Sequence, residues 1–138
     1  MLTKIDLEKL AEIRLEDAIL LLREGRASSA YYLAGYALEF ALKACISKQM
    51  QSAVIPDKNF IKDIYTHNLG TLLGLAGLNT QFTADSKINP KLAANWAKVT
   101  QWNGESRYEF WDPLSAAGLL EAISDPNNGV FQWVKKHW

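Results

Sequence analysis

Tyr32, Tyr36, Glu39 and Lys43 stand at i, i+4, i+7 and i+11. On a helix that spacing puts two phenols, a carboxylate and an ammonium along one face. Two uses of such a face are open. As structure, the tyrosines would be half-buried boundary residues, and Glu39 and Lys43 an i,i+4 pair contributing about 0.2–0.5 kcal/mol. As function, the face would be one wall of a polar groove, with Glu39 positioning a cation. Arg107, followed by Tyr108, supplies the other cation of interest. Its guanidinium could grip a phosphate bidentately or close an ion pair with Glu39. In the ion-pair case the whole group would be structural, and removing one partner would destabilise the fold rather than weaken binding.

Other chemistries find little support. His67 and His137 are the only histidines, and neither has a second ligand at i+3 or i+4, so no zinc spacing is present. The glycines are scattered or follow Leu and form no phosphate-cradling loop. His67 is expected in the first turn of a short helix, half-buried and hydrogen-bonded, with a ligand or catalytic role as the alternative. No serine or cysteine stands out as a nucleophile. The single Cys45 excludes an internal disulfide, fits a reducing cytoplasm and reads as a core thiol. No cofactor or metal is implied.

These residues must be positioned by helices. The stretch Ser28–Lys48 carries Ala30, Ala34, Ala37, Ala41 and Ala44 at helical spacing, with Leu33, Leu38, Leu42, Cys45 and Ile46 beside them. A helix apolar most of the way round is normally the buried centre of a bundle. Gly35 within it signals the close approach of a neighbouring helix. Before it, Thr3 and Asp6 resemble a capped helix start, and Leu7, Leu10, Ala11, Leu15, Ala18, Ile19 and Leu22 predict an amphipathic helix over Lys4–Glu24, stopped by Gly25. The short connection through Arg26, read as a solvated or capping residue, predicts an antiparallel hairpin.

Beyond Lys48, Gln49–Phe60 reads as a loop. A helix capped by Thr66 and carrying Leu69, Leu72, Leu73 and Ala76 ends at Gly77. Asn79–Asn89 reads as polar turns. Pro90 starts a helix running to about Trp102, and Glu105–Trp111 shows no period. Asp112 and Pro113 open a helix through Ile123 with Leu114, Ala117, Leu120 and Ala122 or Ile123 inward, and Val130–His137 closes the chain. The fold class predicted is all-α: one domain over residues 1–138, a compact up-and-down bundle of five or six helices, with no strand. At 138 residues, 49% hydrophobic and 22% charged, the chain can bury its own core. A net charge of zero argues against a global pull toward nucleic acid or anionic membrane, while leaving a local basic patch open. Neither a signal peptide nor a membrane anchor is expected.

In order along the chain, GRASSAYYLAGYALEFALKACISK, THNLGTLLGLAGL, NWAKVTQWNGESRYEF and GVFQWVKKHW together resemble the HEPN family, the higher eukaryotes and prokaryotes nucleotide-binding domain. The resemblance implies a helical bundle that dimerises. Many such proteins are metal-independent ribonucleases with an Arg followed, after roughly four to six intervening residues, by a His on the same helix. There the Arg stabilises charge on the phosphorane and the His moves protons. Arg107 is the natural candidate for the Arg, yet Tyr108 to Leu114 contain no His. Upstream of the two histidines, only Lys62 is basic at the positions that would hold the Arg, and Lys lacks the planar guanidinium.

The resemblance therefore implies a non-catalytic, prokaryotic, homodimeric module that binds a nucleotide, RNA or a protein partner such as a nucleotidyltransferase, in toxin–antitoxin control or defence. Tyr36, Glu39, Lys43, Arg107 and Tyr108 would line its groove. One alternative is a divergent ribonuclease using Arg107 with Glu109, His67 or Asp112 as proton carrier. The other is a purely structural interaction domain, with Trp111, Trp133 and Trp138 as a sticky patch.

Overall fold

The chain enters its first helix through a reciprocal cap: the Thr3 hydroxyl accepts from the Asp6 amide at 3.1 Å, and the Asp6 carboxylate accepts from the Thr3 amide at 2.9 Å. From there the computed structural model, which describes residues 2–50 and 55–138, is helical. The order is α1 (Lys4–Arg23), α2 (Ala27–Ser47), α3 (Lys58–Ile64), α4 (Leu69–Leu75), α5 (Asn79–Ile88), α6 (Pro90–Val99), a 3-10 helix (Gly104–Tyr108), α7 (Pro113–Ser124) and α8 (Val130–Lys135). The all-α class holds; among the described residues no strand occurs, and the expected count of five or six rises to eight α-helices.

Two of the extra helices form where only loop was expected. Residues 51–54 of the expected loop Gln49–Phe60 lie outside the described residues. Its described end enters α3, where the Asp57 carboxylate caps the Asn59 amide at 2.8 Å. Asn79–Asn89 is helical as α5 because one residue anchors it. Phe82 is buried, with its ring 5.1 Å from those of both Trp96 and Trp133. Tertiary packing overrides a weak local preference there.

Asn68, not Thr66, caps α4, accepting from the Thr71 amide at 2.9 Å. The α7 face that turns inward runs Ala116, Leu119, Leu120 and Ile123. Leu114, expected inward, lies off that face and is exposed. Ile19 of α1 is likewise exposed, while Leu7, Ala11, Leu15 and Ala18 are buried.

The centre of the bundle is α2, which packs against α1, α4, the 3-10 helix, α7 and α8. Ala30, Ala34, Ala37, Ala41 and Ala44 are fully buried and let neighbouring helices approach closely, while Leu38, Leu42 and Ile46 fill the spaces beside them. Burying each of those larger side chains contributes about 1.5–3 kcal/mol. Cys45 belongs to this core: burial pushes its thiol up to about 11, and Sγ lies 3.6 Å from the Val134 carbonyl oxygen.

The close approach signalled by Gly35 is real, but it comes from a side chain following α6. A Cβ on Gly35 would fall 2.2 Å from the Trp102 ring. Gly25, at φ 77, provides the left-handed turn that reverses α1 into α2. Arg26 is exposed and makes no side-chain cap.

Trp133 is buried, and Trp111 and Trp138 pack half-buried against the core, so the three tryptophans form no exposed patch. No described helix is long and apolar enough to cross a membrane.

Candidate functional site

Helical spacing on α2 brings Tyr32, Tyr36, Glu39 and Lys43 to one side, as the sequence predicts, and other elements complete the group. Tyr32 and Tyr36 meet edge to face at 5.6 Å, and both flank Trp102, at 6.2 and 6.4 Å. Tyr36 also touches Phe40, at 4.9 Å. Burial pushes the Tyr36 phenol up, with the Glu39 carboxylate adding in the same direction and Arg107 and Arg14 opposing it.

Glu39 is fully buried, and the side chains of Lys43 and His67 reach its carboxylate. Lys43 Nζ donates to Oε2 at 3.0 Å, and His67 Nδ1 lies 2.7 Å from Oε1. The ionised carboxylate can only accept, so Nδ1 carries the hydrogen and Nε2 is the ring's acceptor. His67 precedes the α4 cap rather than lying in the helix's first turn, and its side chain stays 46% exposed. The imidazole is therefore tied at one nitrogen while its edge faces water.

The 3-10 helix crosses this ring. A Cβ on Gly104 would lie 3.0 Å from His67 Cδ2, so the absence of a side chain at 104 lets the two segments meet. Asn103 opens that helix with a cap, and Ser106 is buried beneath it. Arg107 and Tyr108 then project outward. The guanidinium lies 4.6 Å from the Tyr108 ring centroid. Tyr108, and to a lesser extent Tyr32, raise the Arg107 pKa further above its already high value.

The structure thus brings Tyr36, Glu39 and Lys43 together and sets Arg107 beside the tyrosines. It does not join Arg107 to Glu39, whose oxygens already have Lys43 and His67, so of the two uses open to Arg107 the ion pair does not form. Tyr108 lies against the Arg107 guanidinium. The link from His67 to Glu39 was missed, because the two positions are far apart in sequence and no local spacing connects them. The glycine at 104 is its only trace. Among the described residues, no three His, Cys, Asp or Glu side chains gather to hold a metal ion.

The HEPN domain model matches residues 6–136, nearly the whole chain. The chain belongs to the HEPN family. No curated protein and no solved structure gives a significant match. HEPN domains are associated with binding of nucleotides or RNA and with ribonuclease activity. In this HEPN domain the His nearest the 3-10 helix comes from the segment before α4, not from the helix that carries Arg107.

Proposed function

We propose that this HEPN domain binds a phosphate-bearing nucleotide or RNA at the Tyr36–Glu39–Lys43–His67–Arg107 cluster, as a cytoplasmic homodimeric module, with a nucleotidyltransferase-type protein as the alternative partner. The observation that carries the reading is the state of Arg107. Among the described residues it is exposed and paired with no carboxylate, because Lys43 and His67 already occupy the two Glu39 oxygens. A guanidinium braced on a ring and free of acidic partners is ready for bidentate contact with phosphate.

Arg107 is also the clean probe, since its head group is exposed and closes no ion pair among the described residues. Titration calorimetry with ATP and with a short RNA should show binding by the wild type and at least a tenfold loss in Arg107→Ala at unchanged melting temperature. Equal affinity in the two proteins would sink the reading. Light scattering tests the dimer: a monomer at high concentration would remove that part of it.

A second reading, divergent RNA cleavage, is favoured by one observation. A buried carboxylate orients His67 and leaves Nε2 as an acceptor at the exposed edge of the ring, which suits it to take up a proton from a ligand. In a metal-free assay, cleavage lost in both His67→Gln and Arg107→Ala would support it. RNA left intact by the wild type would remove it.

A further inference from the structure

Helix α1 is apolar on two opposite sides. Leu7, Ala11, Leu15 and Ala18 are buried, and the helix packs on α2 and α7. A helix on the surface of a bundle is normally polar on its other side. Here Ile5 is 61% exposed, Ile13 46%, Ile19 39% and Leu20 50%. Single exposed aliphatic residues are ordinary on a soluble surface, but four on one helix are not scattered.

Their spacing gathers them. Ile5, Lys9, Ile13, Glu16 and Leu20 follow at intervals of four, four, three and four residues, so they share one stripe, with Ile19 at its edge. At about 3.6 residues per turn, that stripe lies on the far side of the helix from Ala11 and Ala18. The two charges in the stripe have no partner of their own. Lys4 pairs with Glu8, Arg14 with Asp17 and Glu12 with Lys135, whereas Lys9 and Glu16 are exposed and join no ion pair among the described residues.

Those two charges say what fits the face. Setting Lys9 against the partner's Glu16 on an antiparallel copy of the same helix also sets Glu16 against the partner's Lys9, by two-fold symmetry. In that register Ile5 falls opposite the partner's Leu20, because both pairs share one midpoint. The axis then passes between positions 12 and 13, which brings the two Ile13 side chains side by side. Parallel copies would instead set lysine against lysine and glutamate against glutamate. The stripe is therefore complementary to its own reverse. At 20 residues α1 offers a contact about 30 Å long, which is at the small end of specific interfaces, so the association should reverse on dilution.

We propose that the outward face of α1 is a docking seam for a second copy of this chain, packed antiparallel with Lys9 against the partner's Glu16 and Ile5 against the partner's Leu20. The seam rests on the homodimer part of the reading above and deepens it by assigning the face. It uses no residue of the Arg107 cluster, so each copy keeps its phosphate site whole.

The test follows the full chain by sedimentation equilibrium, with circular dichroism and melting temperature to confirm folding. Wild type should be a dimer that dissociates on dilution, and Ile13→Asp a monomer. Lys9→Glu and Glu16→Lys should each weaken the dimer about tenfold, because each sets like charges together on both sides of the axis. Combining the two exchanges should restore it. A dimer indifferent to Ile13→Asp and to both single charge variants would place association on another face, overturning the seam while leaving the homodimer standing. Weakening by the single variants without rescue in the double would overturn the antiparallel register. A wild-type monomer at every concentration would overturn seam and homodimer together. ATP affinity should be equal in wild type and in monomeric Ile13→Asp, and a loss in the monomer would overturn the independence of the phosphate site.

Discussion

Two places in the molecule combine a carboxylate, a histidine and aromatic rings, and they are wired differently. Beside α2, Glu39 is completely buried and takes Lys43 and His67 as partners. Between α5 and α8, Asp85 is satisfied by neutral donors: Trp133 Nε1 at 2.8 Å and Gln81 Nε2 at 2.9 Å. The histidine there, His137, packs tilted against Trp133 at 4.4 Å and makes no hydrogen bond to the carboxylate. A cavity of about 230 Å³ opens beside Asp85, Trp133 and Lys136, so space alone does not distinguish the regions. The difference lies in the charges. In the first region the buried carboxylate is compensated by the Lys43 ammonium and held by the His67 ring, while a second cation, Arg107, stays unpaired among the described residues. In the second, one carboxylate serves as a fixed acceptor inside a packed aromatic corner.

The sharpest way to break this comparison is to remove each carboxylate. Glu39→Ala leaves Lys43 largely buried without its partner and should cost about 3–5 kcal/mol in urea unfolding. A loss under about 1 kcal/mol would show that the α2 group does not support the fold. Gly35→Ala tests the wall behind that group. Better helix propensity returns about 1 kcal/mol, but a methyl 2.2 Å from the Trp102 ring should outweigh it, for a net loss of about 2 kcal/mol. A stabilised variant would mean that Trp102 can move aside.

Asp85→Ala should cost less than Glu39→Ala, about 1–2 kcal/mol by melting temperature, because it orphans a neutral donor rather than a charge. Equal losses at the two carboxylates would erase the distinction.

The smallest effect expected is a pH dependence from His137. Burial lowers its pKa below the ordinary 6.5, with Asp85 only partly opposing. The unfolded chain therefore takes up this proton at a higher pH than the folded one. The associated stability is fully present above about 6.5 and is lost as pH falls toward the lower folded value. Stability measured from pH 7 to 5 should fall less steeply in His137→Gln, and identical slopes would contradict this.

Much of this was legible in the sequence, for physical reasons that particular residues show. The α2 core announces itself through strict helical recurrence of alanines, and Asp112-Pro113 marks the start of α7 through local cap chemistry. The α2 face of the candidate site follows from spacing alone. What escaped was decided at a distance. Nothing near Asn79–Ile88 states that Phe82 will meet Trp96 and Trp133 and hold that polar stretch helical. Nothing local ties His67 to Glu39. Arg107 illustrates a third limit: its residue type suggested both a phosphate ligand and an ion pair, and only the positions of Lys43 and His67 decided against the pair.

The Trp102 indole nitrogen is the one buried side-chain polar atom among the described residues without a hydrogen-bond partner. Its ring is pressed against Gly35 and flanked by Tyr32 and Tyr36, so solvent reaches that proton only when the ring lifts from α2. Trp102 is thus a built-in clock for the molecule. The exchange of its indole proton for deuterium, followed by NMR, times the opening of this wall. A ligand resting on the tyrosines should slow that clock without touching the indole.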